Sequence, residues 1–263
     1  MARLFRIWWC FFKNVLAETM SYRLNFFLMM TIHVGWFAVY LATYGVIFSQ
    51  VKDLAGWSPY QVLLLAGTWQ LIFTTFVGLF VPNLSNISWF IKTGEMDFVL
   101  CKPVGSLFYL SINRVELGGL SSMLSAFPAL VIASRHLPGF APTAWDLAAY
   151  ALLVLAGIAI LYSLMLAIVS IAFWATRASA VQGLFWAIQE FGGYPAAIYS
   201  RPLRWVLTFI IPVALIANLP AAMLLKGLDA ASVALMVGIA ALSLLAARFV
   251  FYAGLKRYQS ASS

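Results

Sequence analysis

A bundle of membrane-spanning helices is the fold this sequence predicts. Of its 263 residues 64% are hydrophobic and only 9% charged, where an ordinary soluble domain carries about a quarter charged residues. The mean hydropathy is +0.95. Six runs without a charged residue, at 24–51, 54–91, 117–134, 147–176, 205–225 and 230–247, match or approach the roughly 20 residues that carry a helix across a bilayer core. Lipid offers no partners to bare backbone, so these runs are expected as helices. The basic residues that give a net charge of +8 sit at the ends of the runs, where they set topology. No polar domain gathers them, which argues against a nucleic-acid partner.

The elements follow in order along one transmembrane domain, residues 1–263. Residues 1–22 place Arg3, Arg6, Lys13 and Asn14 on one arc of a helical wheel and Leu4, Phe5, Trp8, Phe11, Phe12 and Val15 opposite. That pattern predicts an interfacial amphipathic helix, the alternative being a ragged start to the first span. Spans are expected at 24–48, 59–81, 106–133, 147–174, 180–198 and 231–254. Segment 200–226 is long enough to cross but holds Pro202, Pro212 and Pro220, each of which removes a helix hydrogen bond. If it does not cross, eleven basic residues share the side of the termini and only Lys52, Arg135, Arg201, Arg204 and Lys226 lie opposite. If it crosses, the split falls to nine against seven. The positive-inside rule therefore favours six spans, both termini in the cytosol, and a re-entrant or surface hairpin at 200–226.

Several chemistries lack their motifs. No lysine follows a glycine, so the phosphate-cradling loop of a P-loop ATPase is absent. His33 and His136 belong to no HExxH, no GxSxG elbow occurs, and Cys10 with Cys101 suggests neither a disulfide frame nor a metal site. His33 is expected as a hydrogen-bonded residue of its span.

Against this apolar background IKTGEMDFVLCKPV, residues 91–104, gathers two carboxylates and two lysines. Pro82 is expected to end the second span and Pro103 to stop the charged segment, leaving 82–105 on the cytosolic side. Aromatic residues and Met among charges suit a protein interface, and they equally suit a helix lying on lipid headgroups. Within the spans Arg114, Glu116 and Glu190 are ionisable groups that need a partner or water. Arg114 fits either snorkelling to the headgroups or a role at a subunit interface or inner gate. For Glu190 a structural pairing with Arg201 or Arg204 is favoured over a substrate contact.

TGEMDFVLCKPV resembles the G-x-L-D-x-x-L-x-[RK]-P pattern of the membrane subunits of type 2 ABC exporters. Gly94, Met96, Asp97, Leu100, Lys102 and Pro103 meet it, with Met96 for the usual Leu and Lys102 where Arg is common. Ile211, Pro212, Asn218 and Pro220 resemble that family's second signature, hydrophobic-Ile-Pro followed by Asn/Tyr-x-Pro near the C-terminal end. The resemblance implies a permease half, itself not an enzyme, that pairs with a second half, identical or homologous. Each half would rest on a separate cytosolic P-loop ATPase that holds the ATP and Mg. It implies export across a prokaryotic plasma (inner) membrane. Gly94, Glu95, Met96, Asp97, Phe98, Lys102 and Pro103 would then form the coupling element, with Glu95, Asp97 and Lys102 fixing register and Met96 and Phe98 supplying buried area. A hydrophobic, lipid-like or polymeric substrate is expected. An ion-coupled secondary transporter, a lipid-modifying membrane enzyme and a non-transporting anchor are the competing readings.

Overall fold

The computed structural model describes residues 2–21, 23–174 and 178–258. Arg177, which enters the charge count, and the tail from Gln259 lie outside them, as do the side chains of Arg3, Leu4, Phe5, Arg6, Trp8, Cys10 and Phe12. Thirteen α-helices are described: α1 Ala2–Ser21, α2 Arg23–Gln50, α3 Pro59–Leu84, α4 Ile87–Thr93, α5 Met96–Leu100, α6 Ser106–Ile112, α7 Leu117–Ser121, α8 Ala126–His136, α9 Ala144–Ser170, α10 Ala178–Gln189, α11 Arg201–Trp205, α12 Leu215–Lys226 and α13 Ala230–Leu255. Five stretches are long and apolar enough to cross a membrane: Arg23–Gln50, Pro59–Thr93, Leu117–His136, Ala144–Phe173 and Ala230–Leu255. A bent pair, Arg201–Ile210 with Pro212–Lys226, makes a sixth if it counts as one span.

Local chemistry starts the long helices where they start. Ser58 and Gln61 form a reciprocal capping box ahead of Pro59, and Thr143 and Asp146 form another ahead of α9; each satisfies two otherwise orphaned backbone donors. Asp229 caps α13, and hydrogen bonds from Ser232 hold its carboxyl below the usual range. The core lies between α3, α9, α12 and α13, around Ile72, Phe76, Leu153, Ile160, Ile216 and Met236. Helix α3 is its axis, with 72% of its apolar window buried. Helix α2 stands at the edge, with 6% buried. A cleft lined by Gln61, Pro138, Asp146 and Lys226 marks one end of the bundle, the far end. Segment 82–105 marks the opposite, near end.

Three expectations need correction. Pro82 does not end the second span: it sits inside α3, which runs to Leu84 and continues almost directly into α4. Proline at 82 lacks the N–H that would bond the Gly78 carbonyl. That carbonyl instead accepts the Glu116 N–H at 2.8 Å. The same contact explains the second correction, that 106–133 is no single helix but breaks at 113–116 between α6 and α7. Asn83 replaces the missing helical bonds there, accepting from the Arg114 N–H at 2.8 Å and donating to the Arg114 carbonyl at 2.7 Å. At Gly78 a Cβ would lie 2.6 Å from the Leu120 nitrogen and 2.8 Å from its Cα, so only glycine admits the approach.

The third correction concerns 180–198. Helix α10 stops at Gln189, followed by a 3-10 turn at Glu190–Gly193. At about 1.5 Å per residue neither these segments together nor α12 spans the roughly 30 Å hydrocarbon core alone. Helix α10 rises from the near end, where Gln182 donates to the Ser85 carbonyl, and α12 runs to the far end at Lys226. They abut where Gly192 meets Trp69 and the Val213 carbonyl. Residues 194–211 leave and re-enter between them, and the chain turns by 88° between Arg201–Ile210 and Pro212–Lys226. Of the three prolines only Pro212 marks the bend: Pro202 opens α11, where its missing N–H costs nothing, and Pro220 lies within an unbroken α12.

Candidate functional site

At the near end the chain builds a short lever. Helix α4 extends α3 outward, Gly94 ends it in a left-handed conformation at φ 78°, and α5 folds back. Spacing on α5 divides its residues between two sides. Met96 and Val99 turn inward and are 0% and 4% exposed, in one core with Leu84 and Ile87, while Phe98 is 74% and Trp89 58% exposed. The Trp89 indole donates to Glu95 at 3.3 Å and ties α4 to α5. Glu95, Lys102 and Pro103 are exposed, and Gly94 and Asp97 are half-buried. Met96 therefore belongs to this chain's own core, which corrects the expectation that it offers area to a partner. Phe98 and Trp89 carry the apolar surface.

Contacts join the lever to α6 and to the end of α13, and through α6 to α1. The Lys102 ammonium lies 4.7 Å from the centroid of the Tyr109 ring on α6, a cation–π geometry. Phe11 of α1 meets the same ring edge-on at 5.9 Å. Tyr258, beyond α13, faces Asp97, and burial together with that carboxylate pushes its phenol above the ordinary value. Tyr109, Tyr258 and Asn83 escaped the sequence analysis. A signal for Asn83 exists, a polar residue directly after a proline inside an apolar run; nothing in the spacing marks the other two.

In the middle of the bundle the junction of α10 and α12 is held by polar side chains. Tyr40 and Tyr44 of α2 both donate to the Gly193 carbonyl, the latter at 3.0 Å. Asn218 accepts from the Ala196 N–H at 2.9 Å and donates to the Tyr194 carbonyl at 3.0 Å. Glu190 is exposed on the outer face of this junction, at a hollow of about 240 Å3 shared with Phe191, Tyr194 and Tyr199. Among the described residues it forms no ion pair. The expected pairing with Arg204 is overturned: that guanidinium donates to the carbonyls of Ala197 at 2.8 Å and Tyr199 at 3.0 Å. Arg201 is exposed. Arg114 and Glu116 sit at the break in the third span, far along the chain from Glu190, in a separate cleft beside α1. His33 bonds the Met29 carbonyl one turn back, at 2.7 Å.

Replacing Asn218 by leucine keeps the volume and removes both hydrogen bonds, leaving a partly buried N–H and C=O without partners. A loss of about 2 kcal/mol is expected, read as a lower melting temperature together with faster proteolysis at 196–200. Unchanged melting and unchanged proteolysis would mean that the hairpin is held without Asn218.

Among the described residues no group of three His, Cys, Asp or Glu stands close enough to hold a metal. The arrangement is an exposed aromatic face on α4 and α5, packed into a core that leads to a broken helix pair in the membrane. No curated protein and no solved structure matches the chain. The family model described as ABC-2 family transporter protein matches residues 34–262, from within α2 to beyond the last helix, and the chain belongs to that family.

Proposed function

We propose that this multi-pass membrane protein is one half of the permease of an ATP-driven exporter, with ATP and Mg held by a separate cytosolic P-loop subunit that docks on α4 and α5. The observation that carries the reading is the two-sidedness of α5: Phe98 faces outward while Met96 and Val99 are locked into the core. A partner pressing on Phe98 and Trp89 moves the core with it, since packed interiors transmit displacement rather than absorb it. Lys102 on Tyr109 and Asp97 beside Tyr258 pass the same motion to α6, α1 and the end of α13, as a rigid body. Glu95, with Gly94 and Pro103 shaping the turns around it, sets register by charge.

A carboxylate at Glu190's depth is costly against lipid. A second permease half, identical or homologous, covers that face, and Glu190 with its aromatic neighbours lines a shared pathway for a hydrophobic, lipid-like or polymeric substrate. The protein sits in the plasma membrane of a prokaryote with both termini cytosolic, and performs no chemistry itself.

Cys101 is exposed on the lever and provides the sidedness test. In a Cys10→Ser background, an impermeant maleimide is expected to label inverted vesicles and not right-side-out cells. Co-expressed with candidate P-loop ATPases of the same organism, the permease is expected to co-purify with one of them and to stimulate its ATP hydrolysis, with Phe98→Asp reducing the stimulation at least about tenfold. Labelling from outside, or full stimulation by Phe98→Asp, would overturn the docking role. Substrate movement without any ATPase would favour an ion-coupled transporter, and an inert complex would favour an anchor.

A further inference from the structure

We infer that the cleft between α1 and the break in the third span is a binding site for a phospholipid whose zwitterionic headgroup carries a primary ammonium. Two hollows adjoin there and share Thr19, Phe26 and Leu117. The first, of about 790 Å3, has Glu18, Asn25, Ser85, Arg114 and Glu116 in its wall. The second, of about 530 Å3, has Arg23 in its wall but an almost wholly apolar surface, and runs past Met20, Phe27, Leu120, Met123 and Leu124. The backbone contacts with α3 fix their relative depth. Arg114 lies level with Asn83 near the end of α3 and Glu116 deeper, level with Gly78, and Leu120, Met123 and Leu124 follow as the third span enters the hydrocarbon. A polar chamber at headgroup level thus opens into an apolar groove deeper in the bilayer, which is the polarity profile of one lipid molecule.

The charges specify the headgroup. Among the described residues Arg114 forms no ion pair with Glu18 or Glu116, although all three line one cleft, and the backbone at Arg114 is clamped by Asn83. Two carboxylates offer several acceptor sites to a compact ammonium with three N–H donors. A guanidinium donates paired hydrogen bonds to a phosphate. A trimethylated headgroup cannot donate, and a headgroup with a phosphate but no ammonium leaves both carboxylates without a cation from the lipid.

The test needs no ATPase and no transport, so it stands apart from the proposed function. Purified protein is exchanged into an equimolar mixture of phosphatidylethanolamine and phosphatidylglycerol with identical acyl chains, and bound lipid is counted by native mass spectrometry. The wild type is expected to carry one phosphatidylethanolamine with about fivefold preference, the scale of one partly exposed ion pair. Glu18→Gln with Glu116→Gln is expected to bring the ratio to about one, and Leu120→Trp to reduce both lipids by filling the groove. Equal binding by the wild type, preference for phosphatidylglycerol, or an unchanged ratio in the double variant would overturn the assignment. If Leu120→Trp does not fold, the charge variants decide alone, since they alter no packing.

Discussion

Gly78→Ala is expected to cost about 3 kcal/mol of stability, a large share of what a folded protein has to lose. One methyl group is added, yet it meets backbone: its carbon would stand 2.6 Å from the Leu120 nitrogen and 2.8 Å from the Leu120 Cα. A flexible side chain would swing aside; a main chain must translate. Displacing α7 also stretches the bond from the Glu116 N–H to the Gly78 carbonyl, which replaces the helical donor that Pro82 lacks. Overpacking and a strained buried hydrogen bond thus act together. Gly238→Ala makes the control: nothing lies within 4 Å of its Cβ, so helix propensity alone makes it neutral or stabilising by up to about 1 kcal/mol. Melting in detergent by intrinsic fluorescence checks both. A Gly78→Ala melting curve as high as that of Gly238→Ala would show that the two backbones are not in contact.

Met96→Ala and Phe98→Ala are expected to fail in different assays. Truncating the fully buried Met96 leaves a cavity among Leu84, Ile87 and Val99, with an expected loss of about 2–4 kcal/mol. Truncating Phe98 removes a ring that is 74% exposed, so the melting temperature should barely move. If the outward face of α5 receives the ATPase, the order reverses for ATPase stimulation: Phe98→Ala then loses most of it at normal stability, while the Met96→Ala protein that still folds keeps a measurable share. Equal losses of stimulation at equal stability in the two variants would show that α5 is not two-sided.

These residues also show what the sequence could and could not reveal. Composition and charge-free runs placed the long helices because lipid imposes one demand on every residue of a run. The lever was legible for a different reason: charge in an apolar chain is conspicuous, and Gly94 and Pro103 punctuate it. Which side of the lever faced inward was not legible, because Met96 and Phe98 are both apolar and only the packing of α5 against Leu84 and Ile87 separates them. Pro82 misled for a physical reason. A proline deletes one donor, and whether the helix stops depends on whether the orphaned carbonyl finds another, here on a residue 38 positions away in the chain. The break at 113–116 was hidden for the same reason, since its compensation comes from Asn83. Glu190 was given a plausible basic partner, but the hairpin carbonyls of Ala197 and Tyr199 had the stronger claim on Arg204.

The Gly193 carbonyl takes hydroxyls from two tyrosines one turn apart on α2, and the neighbouring loop is gripped from α12 by Asn218. Two separate rods therefore close a single latch in the membrane interior. Neither can withdraw without stranding a backbone dipole in oil, so each rod alone opposes parting at this seam.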